Sequence, residues 1–293
     1  MDIRATLMGV GFALMWSSAY TSARIIVVDA PPLSALALRF VISGLLGIAI
    51  AARLGQKISL TRGQWLSVVV FGICQNALYL GFNFIAMQWI GAGLASIIAS
   101  TMPLLVGALG WMVFRDRLSP LALAGLIVGF AGVGLIMGTR LSGGVDLTGL
   151  VLCVIAALAL AVATLTMRSV SGGGNLLMVV GLQLLVGAAA LAPFALTFEN
   201  FDVTWSWQLV VAFIYTTLVP GLTATWVWFM LVARIGVVRA STYHFLNPFF
   251  GVTIAALLLG ESLGIYDVIG VAVVTLGILA VQLAKQRPAG TPP

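Results

Sequence analysis

Residues 91–118 read GAGLASIIASTMPLLVGALGWMVFRDRL, and residues 236–263 read GVVRASTYHFLNPFFGVTIAALLLGESL. A shift of 145 (248 − 103) lays Pro103 on Pro248, Gly91 on Gly236, Ala95 on Ala240, Ser96 on Ser241 and Leu118 on Leu263, with Asp116 on Glu261. The register continues beyond the quoted stretch, with Gly125 on Gly270 and Gly132 on Gly277. These matches lie inside long apolar segments, so the chain reads as a duplicated membrane protein. Prolines at equivalent depths of both halves suit a carrier built from two related repeats.

Composition agrees. The chain is 61% hydrophobic and 8% charged, with a mean hydropathy of +1.16, whereas a soluble domain carries about 25% charged residues. Runs of about 20 apolar residues, enough to cross about 30 Å of hydrocarbon, occur at 5–27, 33–53, 64–86, 92–114, 120–139, 148–168, 175–197, 207–231, 237–259 and 265–284. Turn-forming stretches separate them: Asp29-Ala-Pro-Pro32, Ser119-Pro120, Leu141-Ser-Gly-Gly144 and Ser171-Gly-Gly-Gly174. The first run lacks a small-x-small cleavage site and reads as a retained span rather than a leader. The expected fold is an all-α polytopic membrane protein of ten transmembrane helices, arranged as two inverted five-helix repeats. Residues 1–140 form the first repeat, and residues 141–293 form the second with a short cytoplasmic tail.

Charge placement sets the orientation. With a cytoplasmic N-terminus, that side collects Arg4, Arg53, Lys57, Arg62, Arg115, Arg117, Arg168, Arg234, Arg239, Lys285 and Arg287, and the other keeps Arg24 and Arg140. Cytoplasmic loops are enriched in Lys and Arg, so both termini are expected in the cytoplasm. Each half holds an odd number of spans, and the halves therefore insert in opposite senses. The net charge of +6 is thus a topology signal, and no nucleic-acid partner is expected. Cys74 and Cys153 fall within spans as packing thiols, and with a single histidine no metal site and no cofactor are expected.

The segment from Ala95 through Pro103 to Ser119, its copy from Leu246-Asn-Pro-Phe249 to Leu263 and Gly270, Met15-Trp-Ser-Ser18 and Leu38-Arg-Phe40 together resemble EamA-type proteins of the drug/metabolite transporter superfamily. Among these the chain is similar to the YddG-type bacterial amino-acid exporters. The resemblance covers nearly the whole chain and implies a multi-pass protein of the bacterial inner membrane. One departure stands out: Phe114-Arg-Asp-Arg-Leu118 occupies the place where Gly-Glu-Arg-Leu is usual.

Polar groups within spans are costly unless they face protein or a wet cavity, so they point to a pathway. Asn76, Tyr79 and Asn83 share one helical face, with Gln75 beside them, and either line a cavity or bond helix to helix. Ser96, Ser100 and Pro103 share a face of the fourth span, as Ser241, His244 and Pro248 do in the ninth, next to Asn247. Proline removes a backbone donor and frees a carbonyl one turn earlier, so Pro103 and Pro248, with Pro220 as a third case, offer helix breaks and exposed carbonyls for gating. His244 binds a carboxylate, carries a proton or bonds two helices. Arg39 has the uncharged counterpart Gln183 and reads as a structural arginine or a carboxylate ligand. Trp16, Tyr20, Trp226 and Tyr243 lie deep enough to stack on substrate, whereas Trp65, Trp89, Trp205 and Trp207 read as interfacial belt.

These features suit a secondary carrier, not an enzyme, that exports neutral or aromatic amino acids or related small metabolites by alternating access. The cavity is expected between the halves, lined by helices one, three, four, six, eight and nine. A multidrug or lipophilic-cation efflux carrier is the alternative. A sugar-phosphate exchanger would need several buried cations where only Arg39 is available. An intramembrane serine protease lacks its Gly-x-Ser-Gly elbow. Ten spans enclose a complete pathway, so the partners reduce to a small-molecule substrate and the bilayer, with the monomer sufficient. Alanine at Asn83 or His244 is expected to reduce uptake into vesicles without lowering expression; unchanged transport in both variants would overturn this site.

Overall fold

The structure, a computed structural model, describes residues 2–115, 118–166 and 175–286. Asp116, Arg117, Arg168, the Ser171–Gly174 turn and Arg287 lie outside the described residues. Helix accounts for 85% of the described residues, with no strand among them.

Ten long helices follow one another. They are α1 (Ile3–Asp29), α2 (Pro32–Arg53) and α3, which runs Arg62–Phe71, a π-helical stretch Gly72–Leu80, then Gly81–Ala86. Next come α4 (Ala92–Ser100 and Met102–Phe114, broken at Thr101), α5 (Pro120–Ser142) and α6 (Leu147–Thr166). Then come α7 (Leu176–Phe198) and α8, which runs Trp207–Leu218, a π-helical Val219–Thr223, then Ala224–Ile235. The last are α9 (Val237–Thr242, a 3-10 turn Tyr243–Leu246, Asn247–Leu259) and α10 (Ile265–Gln286). Nine helices among the described residues, those from α2 onward, are long and apolar enough to cross a membrane. Leu7, Leu38, Leu45, Leu66, Val211 and Leu276 are more than half exposed. Apolar exposure on this scale needs lipid as its solvent. The chain is a multi-pass, all-helical membrane protein.

Local chemistry explains the element ends. Thr61 and Gln64 form a reciprocal capping box at the start of α3. Ser119 and Ser206 cap α5 and α8 through their hydroxyls. The chain leaves α4 at Arg115 (φ 55°) and α9 at Gly260 (φ 66°) in the left-handed conformation. These are the repeat-equivalent positions, and only the second carries the glycine that this conformation favours. The departure noted at Phe114-Arg115 therefore puts a side chain on a strained backbone.

The chain divides into two compact units, one of residues 1–21, 90–150 and 223–293, the other of 22–89 and 151–222. In the first, α5 packs along α10 and α4 against α9. Early residues of one helix meet late residues of its partner. A Cβ on Gly125 would lie 2.8 Å from the Gly277 carbonyl oxygen, and one on Gly270 would lie 3.2 Å from that of Gly132. A Cβ on Gly277 would fall 2.5 Å from the Gly129 Cα. The helices run antiparallel, and the contact is reciprocal between equivalent glycines. At one end of the α4–α9 pair, Glu261 receives the Ala92 N–H at 2.6 Å and the Gly93 N–H at 3.0 Å, capping α4. Arg140 and Asp267 tie the ends of α5 and α10 with a 2.8 Å ion pair. Asp2 at the start of α1 meets Arg234 of α8, whose hydrogen bond holds the Asp2 carboxyl below the ordinary carboxylate range.

In the second unit, α2 packs along α7. Glu199 beyond α7 accepts from Leu33 N (2.7 Å) and Ser34 N (2.8 Å) at the start of α2, while Gln56 beyond α2 accepts from Met178 N near the start of α7 (3.0 Å). This pair is antiparallel too. Gly44 and Gly181 approach so closely that a Cβ on either would lie within 3.0 Å of the other's carbonyl oxygen.

Gly277→Ala is expected to force α5 and α10 apart and cost about 1–3 kcal/mol, read as a lower unfolding temperature in detergent. Gly134→Ala, with nothing within 4 Å of its Cβ, should be neutral or stabilise by about 0.5–1 kcal/mol.

Candidate functional site

The breaks in α4 and α9 set the site. Pro103 and Pro248 both sit in the first turn of the second helical piece, where the missing N–H has no partner to lose. They start new helices rather than bend continuous ones. The carbonyl expected to open before Pro248, that of His244, accepts the Asn247 N–H within the 3-10 turn. The breaks recur at equivalent places: Thr101 matches Leu246, and the π-helical stretches of α3 and α8 overlap under the same shift.

In the first unit the α9 break carries His244 into an aromatic group. Its ring lies 5.3 Å from Phe12 at 88°, 6.4 Å from Trp16 at 90° and 5.3 Å from Trp228 at 58°. Phe12 in turn lies 4.8 Å from Trp228 and 5.7 Å from Trp16. Edge-to-face and tilted packing of this kind is favourable beyond area alone. Asn247 Nδ2 lies 3.0 Å from His244 Nδ1. With the amide as donor, Nδ1 accepts and the ring proton sits on Nε2. The Asn247 carbonyl accepts from Ser17 Oγ at 3.2 Å, joining α9 to α1, and Asn247 Oδ1 is buried with no hydrogen-bond partner. The group thus combines apolar ring faces, one imidazole N–H donor and one open amide acceptor, and none of its members carries a carboxylate or a fixed cationic charge. Such a surface offers ring faces for stacking beside one hydrogen-bond donor and one acceptor.

The sequence-predicted residues divide between the units. Trp16, Tyr20, Ser96, Ser100, Pro103, Trp226, Tyr243, His244, Asn247 and Pro248 belong to the first; Asn76, Tyr79, Asn83 and Pro220 belong to the second. Trp226 is 60% exposed and stands outside the aromatic group, where Trp228, two residues on, takes its place. Tyr243 packs its ring on Gly9, where a Cβ would lie 2.5 Å away. Tyr20 is buried. Ser96 presses on Gly251, and Ser100 Oγ bonds back to the Ser96 carbonyl at 2.7 Å. In the second unit Asn76 Nδ2 donates to the Gln183 carbonyl at 2.9 Å, and Asn83 Nδ2 donates to that of Tyr79 at 2.8 Å. Cys153 Sγ reaches Asn83 Oδ1 at 3.5 Å. Asn76 therefore bonds helix to helix, the second of the two roles open to it from sequence. Phe12, Ser17 and Trp228 were not anticipated; the i, i+4 spacing of Phe12 and Trp16 was the available signal. Among the described residues no three His, Cys, Asp or Glu side chains group as metal ligands.

The sequence pattern of the EamA-like transporter family matches residues 3–138 and again 147–283. The chain belongs to the EamA-like transporter family. It is 24% identical over 279 residues to the "Uncharacterized transporter YvbV" of Bacillus subtilis, covering 95% of this chain and 91% of that one. It is 25% identical over 276 residues to the "Probable amino-acid metabolite efflux pump" of Salmonella typhimurium, covering 90% of each. A solved crystal structure superposes with a TM-score of 0.69 at 21% identity, over 96% of this chain and 98% of that chain, and shares its fold. This EamA-like chain is thus a small-molecule membrane transporter by family.

Gly9→Ala should displace the Tyr243 ring beside His244 and lower transport several-fold at unchanged expression. Gly11→Ala, with nothing near its Cβ, should transport as the parent does; equal behaviour of the two would remove Tyr243 from the site.

Proposed function

We propose that this EamA-like transporter is a secondary carrier that exports neutral and aromatic amino acids, or closely related metabolites, across the bacterial inner membrane. The observation that carries the reading is the uncharged His244–Asn247 pair, set at the break in α9 and walled by Phe12, Trp16 and Trp228. A stacking surface with one donor and one acceptor suits a ring or thioether side chain better than it suits a phosphate or a free cation. The Salmonella relative named as an amino-acid metabolite efflux pump supports the same substrate class.

Alternating access is the transport mode we assign, with residues 1–140 and 141–293 as inverted repeats and both termini cytoplasmic. The antiparallel packing of α2 with α7, α4 with α9 and α5 with α10 supports that reading, because each pair joins repeat-equivalent helices. So does the recurrence of helix irregularities at equivalent positions. A break leaves a short, easily rearranged stretch of backbone within an otherwise stiff helix. The 3-10 turn that presents His244 is such a stretch, and its rearrangement would move the imidazole and Asn247 together. The monomer contains every residue this scheme uses.

Counterflow of labelled amino acids in proteoliposomes tests the assignment, run with and without an imposed pH gradient. Saturable exchange of phenylalanine or methionine is expected, independent of the gradient. Trp228→Ala should raise the half-saturating phenylalanine concentration about 2–10-fold, the worth of one aromatic contact, and change that of alanine less. Exchange of tetraphenylphosphonium with no exchange of any amino acid would establish the lipophilic-cation alternative instead.

A further inference from the structure

Arg39 lies about two turns inside α2 and is 7% exposed. A guanidinium keeps its charge at neutral pH, and an uncompensated charge at membrane depth is costly. Six acidic side chains among the described residues are engaged elsewhere. Asp2 meets Arg234, Asp267 meets Arg140, Glu199 and Glu261 cap helices, Asp29 meets Ser206, and Asp146 accepts from Gly149. Arg39 stands 5.5 Å over the Phe40 ring, and its Nε has no hydrogen-bond partner.

One turn along the same face of α2, Ser43 is 1% exposed, and its Oγ also has no partner. Both side chains face the π-helical stretch of α8. The position a Cβ would take on Gly221 lies 3.5 Å from Arg39 Nη2 and 3.6 Å from Ser43 Oγ. The two side chains therefore approach the same residue, and the absence of a side chain at Gly221 leaves their polar heads uncovered on that side. The Thr216 carbonyl oxygen lies 3.1 Å from the Cβ position of Gly221 and disfavours negative charge there, so an anion would meet the unpartnered Arg39 Nε and Ser43 Oγ rather than the Gly221 backbone. The second copy offers Gln183 at the equivalent place. The pairing of α2 with α7 therefore does not require the charge at both positions. Two buried, unpartnered donors, one cationic, beside a local widening of the facing helix make a site for one small negative ion.

We propose that Arg39 and Ser43, with the Pro220-Gly221 segment of α8, bind a monovalent anion, halide or carboxylate, inside the second unit. The guanidinium supplies the countercharge and a planar donor edge that matches a carboxylate, and the serine hydroxyl supplies a second donor. This site is independent of the His244 group and of the identity of the transported substrate.

The test is thermal unfolding of the purified full-length chain in detergent, with chloride raised from none to about 100 mM against the bulky sulfonate of HEPES at constant ionic strength. Acetate is titrated in a parallel series. A bound anion stabilises the folded state by mass action, so the unfolding temperature should climb by about 5 °C as the site saturates. A rise with both anions identifies a general monovalent site; a rise with chloride alone or acetate alone assigns the ligand as halide or carboxylate. Ser43→Ala should move the midpoint about tenfold higher in anion concentration, and Arg39→Gln should flatten the response. No rise with either anion overturns the proposal, as does an undiminished rise in Arg39→Gln. Where Arg39→Gln does not fold, an unchanged midpoint in Ser43→Ala overturns it equally.

Discussion

Close backbone approach between antiparallel helices is the constraint on which the rest of this structure rests. In lipid, apolar side chains gain nothing by leaving solvent for protein, so helices associate through packing contacts that need small residues at the seam. Gly125, Gly129 and Gly132 of α5 meet Gly270, Val274 and Gly277 of α10 with no space for a Cβ at several of these points. Gly44 and Gly181 do the same for α2 and α7. Because the participating helices are copies of each other, one set of small residues serves both sides of a seam. The reciprocal contacts of Gly125 with Gly277 and of Gly270 with Gly132 follow from that self-complementarity.

A frame held by backbone packing tolerates irregular helix elsewhere. The π-helical stretches of α3 and α8, and the breaks in α4 and α9, fall outside the α5–α10 and α2–α7 seams. Freed backbone groups at these places are taken up locally, as when the Asn247 N–H returns to the His244 carbonyl. The result is a side chain whose direction no regular helix would give, His244 toward Phe12, Trp16 and Trp228, and a widened turn at Gly221 that regular α2 faces with Arg39. The proposed site thus lies at an irregular stretch, whereas the close glycine contacts lie on regular helix.

Much of the fold is legible in the chain because two strong periodic signals survive duplication. Apolar runs of membrane length marked the helices, and the glycines at 125, 132, 270 and 277 marked the duplication; that they meet at one seam is visible only in the structure. The candidate site was legible only in part. His244 and Asn247 stood out in sequence because a polar group inside a span is conspicuous, and the structure brings the two side chains together. Trp228 was passed over for Trp226 because both lie in one apolar run, and the π-helical stretch shifts the phase of α8 before either residue. The face of a tryptophan after such a stretch cannot be counted from a period of 3.6 residues. Asn76 kept two possible roles in sequence for a similar reason: its polarity is visible there, but its acceptor, the Gln183 carbonyl, belongs to a distant helix.

By itself the sequence determined that this is a helical, membrane-spanning, duplicated chain, since length, hydropathy and self-similarity are properties of segments and need no neighbours. Only the tertiary structure decided which polar side chains are consumed in packing and which remain open. Hydrogen-bond satisfaction is a property of pairs, and the pairs here join residues more than 100 positions apart, as Asn76 with Gln183 and Ser17 with Asn247 do. It also decided that Pro103 and Pro248 begin helices rather than kink them. A proline constrains its own φ and its missing donor, but whether the preceding carbonyl stays open depends on how the turn before it closes.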